Sequence, residues 1–115
     1  MMNHITIGSD SVPRLGYGCM GLTQAYQPVA HEKAAALLQS IADQGPVMLD
    51  TAATYSGGKN EMLVGSVLKR SRDKVFVASR AGMYKNPDGS REIDGDPDRI
   101  IRSCNESLSR LGTDV

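Results

Sequence analysis

Two cysteines are all that this 115-residue chain contains, and Cys19 and Cys104 stand too far apart to form a CxxC motif. A small secreted scaffold held by disulfides carries more, so a reduced compartment is expected. No segment approaches the roughly 20 consecutive apolar residues of a membrane span. The opening MMNHITIGSD has neither a cationic start nor a long apolar run, which argues against a secretory signal. Charge of one sign is not in excess: 13 basic residues balance 13 acidic ones. Such a chain has no field to draw nucleic acid or an acidic membrane, and neither is expected as a partner. Basic runs, heptads, low-complexity tracts and internal repeats are missing too. A soluble cytoplasmic protein is the expected class. Its length suits one core, so a single domain over 1–115 is expected.

What is present alternates in period. His4 to Ile7 reads as a short strand, and Gly8-Ser9-Asp10 turns it into a hairpin ending near Pro13. Leu15 to Met20 reads as a buried strand, and Thr23 to Pro28 as irregular chain. From Val29 a helical stripe runs through Ala30, Ala34, Leu37, Leu38 and Ile41, with Pro28 at its mouth and Gly45-Pro46 as its stop. Val47-Met48-Leu49 is a buried-strand run that ends on Asp50. Asn60 can cap a second helix carrying Leu63, Val64, Val67 and Leu68, and Lys69-Arg70 suit the negative end of its dipole.

A third apolar run, Val75 to Ala78, precedes a loop from Arg80 to Gly95. Asp96-Pro97 is a cap followed by proline at the first helical position, a clear start signal. Ile100, Ile101, Cys104, Leu108 and Leu111 form the third stripe, and Gly112 stops it. Strand and helix therefore alternate at roughly 30 residues, the βαβ period. Strands apolar throughout imply burial on both faces by parallel neighbours and helices. The fold class is α/β. The closing Thr113-Asp114-Val115 falls where a further strand would begin, so the chain reads as the front of a longer design. Cys19 and Cys104 read as packing residues and the methionines as core filler, with Met20 near a strand end.

The run GYGCMG, Gly16 to Gly21, has the spacing of a dinucleotide-cradling turn. That turn must follow a strand and open at once into a helix whose N-terminus holds the pyrophosphate. Here the glycines lie within the strand pattern, and Leu22 to Pro28 delay any helix. The acidic residue expected about 20 positions on is also misplaced, since Asp43 lies inside a helix and Asp50 too far along. Glycines in a strand more often mark close backbone approach or a bend at a barrel rim.

Chemistry concentrates in DTAATYSGGKNE, Asp50 to Glu61. Asp50 ends a buried strand, the place where parallel α/β folds assemble their sites. Tyr55 follows in a loop turned by Gly57-Gly58, and the next strand ends on Ser79-Arg80. A carboxylate, a phenol and a cation thus converge on one face. A phenol titrates near 10, and a fixed cation beside one favours its ionised form. A phenol so tuned can protonate a carbonyl oxygen as hydride reaches its carbon. The same residue types also serve as turn caps and lids, and the physics alone leaves both readings open. Lys85 and Arg91 read as surface cations, on a loop of a length that often carries function.

These residues resemble the aldo-keto reductases. The similarity runs through LGYGCMGLT (Leu15–Thr23), MLDTAATYSGGKNEMLVGSVLK (Met48–Lys69), RDKVFVASRAG (Arg72–Gly82) and ESLSRLGTDV (Glu106–Val115). It implies the first three βα units of a (β/α)8 barrel preceded by an N-terminal hairpin, with the chain ending before strand 4. It also implies reduction of aldehydes or ketones with NADPH, whose nicotinamide end would lie near Cys19, Met20, Gly21 and Asp50; no metal is called for. Asp50 matches the family's catalytic aspartate and Tyr55 its proton-donating tyrosine. Arg80 stands where the family has lysine, and a bidentate guanidinium is no neutral replacement. We expect Arg80 to pair with Asp50 and to serve Tyr55 less well than lysine would. The family's histidine falls beyond Val115, and neither His4 nor His31 is placed to replace it. The loops that would hold the adenosine phosphate also lie beyond.

Two classes of function follow. One is a carbonyl reductase, impaired in this stretch alone. The other is a non-catalytic relative acting as a binding or regulatory module. Open sheet edges would also invite self-association.

Overall fold

Three short parallel strands form the centre of the computed structural model, which describes residues 3–27 and 29–115. The expected proline mouth of the first helix, Pro28, and the start of the leader reading at Met1–Met2 lie outside the described residues. The strands β3 (Gly16–Gly18), β4 (Val47–Asp50) and β5 (Val75–Ala78) pair in chain order. Gly16, Met48 and Phe76 stand in one row, and Gly18, Asp50 and Ala78 in another. Before them, β1 (His4–Ile7) and β2 (Asp10–Pro13) make the expected antiparallel hairpin. β2 lies against β4, and its Val12 is buried.

β3 is shorter than the strand expected over Leu15 to Met20. Leu15 is 74% exposed, and Met20 opens a 3-10 turn, Met20–Leu22. The last ladder contact is the Cys19 N–H donating to Asp50 O at 2.9 Å, after which the chain turns away. Among the described residues no α-helix follows until His31, so the glycines do not form a phosphate cradle. A Cβ at Gly16 would stand 2.9 Å from Met48 Cε and 3.0 Å from its carbonyl oxygen, so this glycine serves close strand approach.

Helices α1 (His31–Asp43), α2 (Lys59–Ser71) and α3 (Pro97–Leu111) cover one side of the sheet. Leu49, Tyr17, Val47, Val75 and Val77 face them in a single core with Leu38, Leu63, Val64, Val67 and Leu111. Met48, Phe76, Asp50 and Ala78 belong to the opposite face and are only half-buried. The expectation of strands buried on both faces is therefore corrected: side chains alternate, and helices clothe one face only. The shortest dimension, 22 Å, holds one sheet and one layer of helices.

The stripes are shifted as well. In α1 the buried line is Ala34, Leu38 and Ala42, while Leu37 is 43% exposed and Ala30 precedes the helix. In α3 the buried line is Ser103, Ser107 and Leu111, whereas Ile101 is 60% exposed and Cys104, expected to pack, is exposed. At its C-terminal end α3 packs its backbone directly on α2 at Gly65. A Cβ at Gly65 would come within 2.7 Å of Arg110 O and 2.8 Å of Leu111 O. The expected start and stop of α3 are present: the Asp96 carboxylate accepts from the Arg99 N–H at 3.0 Å, and Gly112 is left-handed.

Two further expectations change. Gly58 caps α2 at φ +89, and Asn60 sits inside the helix, wholly buried. The segment Arg80 to Gly95 is not a plain loop but carries a hairpin, β6 (Met83–Lys85) with β7 (Arg91–Ile93), closed by a turn with Gly89 N donating to Asn86 O at 2.9 Å. No helix is long and apolar enough to cross a membrane among the described residues.

Candidate active site at the strand carboxyl ends

Asp50 is the last residue of β4, and Arg80 stands two residues past the end of β5. Backbone pairing continues beyond both strands: Thr51 N donates to Ala78 O at 2.8 Å, and Ala53 N to Arg80 O at 3.1 Å. This extension fixes the two loops side by side. Arg80 Nη2 then donates to Asp50 Oδ2 at 2.7 Å and to the Tyr55 hydroxyl oxygen at 2.7 Å. Its Nε points at Thr51 O, 3.5 Å away. The guanidinium carbon lies 5.5 Å from the Tyr55 ring centroid. The expected ion pair is present, and the carboxylate, phenol and cation share one rim.

Arginine has no acceptor and does not deprotonate in proteins. The Tyr55 oxygen is therefore always the acceptor toward Arg80, and its own hydrogen is left to point elsewhere. The Arg80 and Asp50 side chains are 56% and 38% exposed, so the cluster is open to a ligand from solvent.

Tyr55 is held by an unusual turn. It begins a 3-10 segment, Tyr55–Gly58, in which Ser56, Gly57 and Gly58 all have positive φ. A serine in the left-handed region costs on the order of 1 kcal/mol. Offsetting that, the Ser56 N–H donates to Gln24 Oε1 at 2.6 Å, from the loop after β3. Gly58 has no room for a side chain, since a Cβ would meet Arg110 Cδ at 2.6 Å.

Beneath the rim lies a polar network that the sequence reading did not find. The Thr51 hydroxyl donates to Asn60 Oδ1, and Asn60 Nδ2 donates to Cys19 O and to Thr23 Oγ1. One buried amide thus ties the segments after β3 and β4 to α2. Next to it, Glu61 is wholly buried, accepting from Arg110 Nε at 2.5 Å and from Ser79 Oγ at 2.6 Å. Ser79 is the neighbour of Arg80, so α2 and α3 brace the residue that carries the guanidinium. The signal was available: Glu61 lies in line with Val64 and Leu68 on an apolar stripe, where a carboxylate requires a partner.

The other expected residues fall in different places. Cys19 has 0% exposure, and its carbonyl is taken by Asn60. Burial first, and then the Asp50 charge, push its thiol up to about 12. Met20 and Tyr55 line a cavity of about 540 Å³ with Gln24, Thr54, Met83, Tyr84, Lys85 and Arg91. Asp50 stands outside that lining, and Gly21 packs near Tyr26.

Comparison with known proteins shows the family and the fold. The profile of the Aldo/keto reductase family matches residues 14–115. Aldo-keto reductase yakc [NADP(+)] of Schizosaccharomyces pombe is 39% identical over 111 residues, which are 94% of this chain and 33% of that protein. Probable aldo-keto reductase 1 of Glycine max is 34% identical over 102 residues, covering 87% of this chain and 30% of its own. The holo form of aldo-keto reductase AKR11C1 from Bacillus halodurans superposes with a TM-score of 0.83 at 30% identity, over 99% of this chain and 38% of that one. The chain spans about a third of the length of the curated relatives it matches. Its hairpin and three βα units are the opening part of the (β/α)8 barrel of those proteins. The chain belongs to the aldo/keto reductase family.

Proposed function

We propose that this chain supplies the proton-donating side of an NADPH-dependent reductase of aldehydes and ketones. The carrying observation is the single nitrogen, Arg80 Nη2, that bridges Asp50 and Tyr55 at 2.7 Å each. Asp50 holds the guanidinium, the guanidinium fixes the phenol oxygen, and the free phenol hydrogen is presented to a carbonyl oxygen at the rim. As negative charge develops on that oxygen, the cation behind Tyr55 stabilises the phenolate left by the proton's departure.

The residues present fit the nicotinamide end of the cofactor. A Cβ at Gly18, paired with Asp50, would meet nothing within 4 Å, so the sheet's bare face is clear beside the acid. Asp50 and the backbone of Cys19, Met20 and Gly21 would border that end. The bound cofactor supplies the hydride. Tyr55→Phe, in a chimera in which this segment replaces the matching third of the fission-yeast relative, should lower kcat by about 100-fold or more. Turnover unchanged by that substitution would refute the assignment.

Arg80 in the lysine position favours a second reading, a relative that binds ligand without turnover. NADPH fluorescence titration of the chimera alongside its turnover separates the two: binding with no reduction of any aldehyde selects the second. β3 and β5 are the outer strands of their sheet. Association of the chain with itself through them would appear as concentration-dependent mass in sedimentation.

A further inference from the structure

The β6–β7 hairpin carries a charge arrangement that the proton-donating cluster leaves unused. Lys85 and Arg91 are direct cross-strand partners, and both line the cavity of about 540 Å³ shared with Tyr55. Like charges opposite one another weaken a strand pair. A nearby carboxylate would relieve them, yet no carboxylate of this hairpin pairs with either cation. Asp88 accepts from the Ser90 N–H and hydroxyl at 2.9 and 2.6 Å. Glu92 and Asp94 both pair with Arg99, at 3.1 and 2.8 Å. Among the described residues neither Lys85 nor Arg91 enters an ion pair. Two cations with no ion-pair partner among the described residues therefore face one cavity that has the phenol in its wall.

The cavity has the size of a small-molecule site. Met20 and Met83 give it apolar wall, and a lysine with an arginine is the pair that grips an oxyanion, one as a point charge and one as a fork. We infer that this cavity takes carbonyl compounds bearing an oxyanion, a carboxylate or a phosphate, held by Lys85 and Arg91 with the carbonyl toward Tyr55. The carbonyl half of that statement rests on the reductase reading; the oxyanion half does not. Occupation of the site by the oxyanion relieves the repulsion across the hairpin, so affinity and hairpin stability rise together.

Calorimetric titration tests this with three aldehydes of similar size: 4-formylbenzoate, its methyl ester and 4-formylphenyl phosphate. The chain should bind at least one anion ten or more times tighter than the ester, and the tighter anion identifies the group. Lys85→Gln with Arg91→Gln should abolish the preference, whereas Lys85→Arg should keep it. Equal binding of anions and ester, no binding of either anion, or a preference surviving in the double variant would overturn the proposal. Turnover by the chimera separates the two readings. Anion preference in binding with no reduction of any aldehyde sinks the reductase and leaves the subsite; reduction with no preference does the reverse.

Discussion

The Thr51 hydroxyl donates to the side-chain oxygen of Asn60 at 2.7 Å, and both residues are wholly buried. Asn60 then spends its amide protons on Cys19 O and Thr23 Oγ1. Replacing it with alanine strands three polar groups without water. Asn60→Ala should cost about 2–4 kcal/mol of stability. Urea denaturation followed by circular dichroism measures it, and a loss under about 0.5 kcal/mol would mean the network is slack.

Glu61 and Arg110 form a pair of which the carboxylate is inaccessible and the guanidinium 24% exposed. Removing only the cation leaves a buried charge unmatched, so Arg110→Met should cost about 3–5 kcal/mol. Replacing both, with Glu61→Leu, should cost less than the sum of the single changes. A double-mutant cycle reads the coupling, and additivity would exclude the pairing.

The two thiols should behave oppositely. Cys104 is exposed and should react with a maleimide at once, whereas Cys19 should react only on unfolding. The Cys19 thiol ionises at 9.0 in its unperturbed state and at about 12 in the fold. Between those values the unfolded chain has released this proton and the folded one retains it. The thiol's contribution to stability is thus intact below pH 9.0 and declines as pH rises toward about 12. Cys19→Ser should change the slope of stability against pH in that interval. An identical slope would remove the assignment.

Arg80→Lys, in the chimera, should raise carbonyl-reductase kcat by on the order of tenfold. A lysine is a compact point charge, better suited to the space between Asp50 and Tyr55 than a fork that also reaches for Thr51 O. A lower or equal kcat would show that the arginine is the fitted residue here.

Much of this architecture is readable from the residues. The alternation of apolar runs with helical stripes gives three βα units, and Asp96-Pro97 and Gly112 bound α3 as written. Asp50, Tyr55 and Arg80 meet because Asp50 ends one of two adjacent parallel strands and Arg80 closely follows the other. What escapes the reading depends on contacts distant in sequence. Ser103 and Ser107 are buried, and the end of α3 sits on Gly65 of α2, neither of which any pattern within α3 reveals. The β6–β7 hairpin is hidden because its three-residue strands carry charges rather than an apolar run. Asn60 looks like a cap until Gly58, in a left-handed conformation, takes that position.

The bond from Ser56 N–H to Gln24 couples two loops that sequence places 32 residues apart. Lengthening or shortening either loop would break that bond, so the two loops should vary together. Any transplant of one loop into another barrel should therefore carry the other with it.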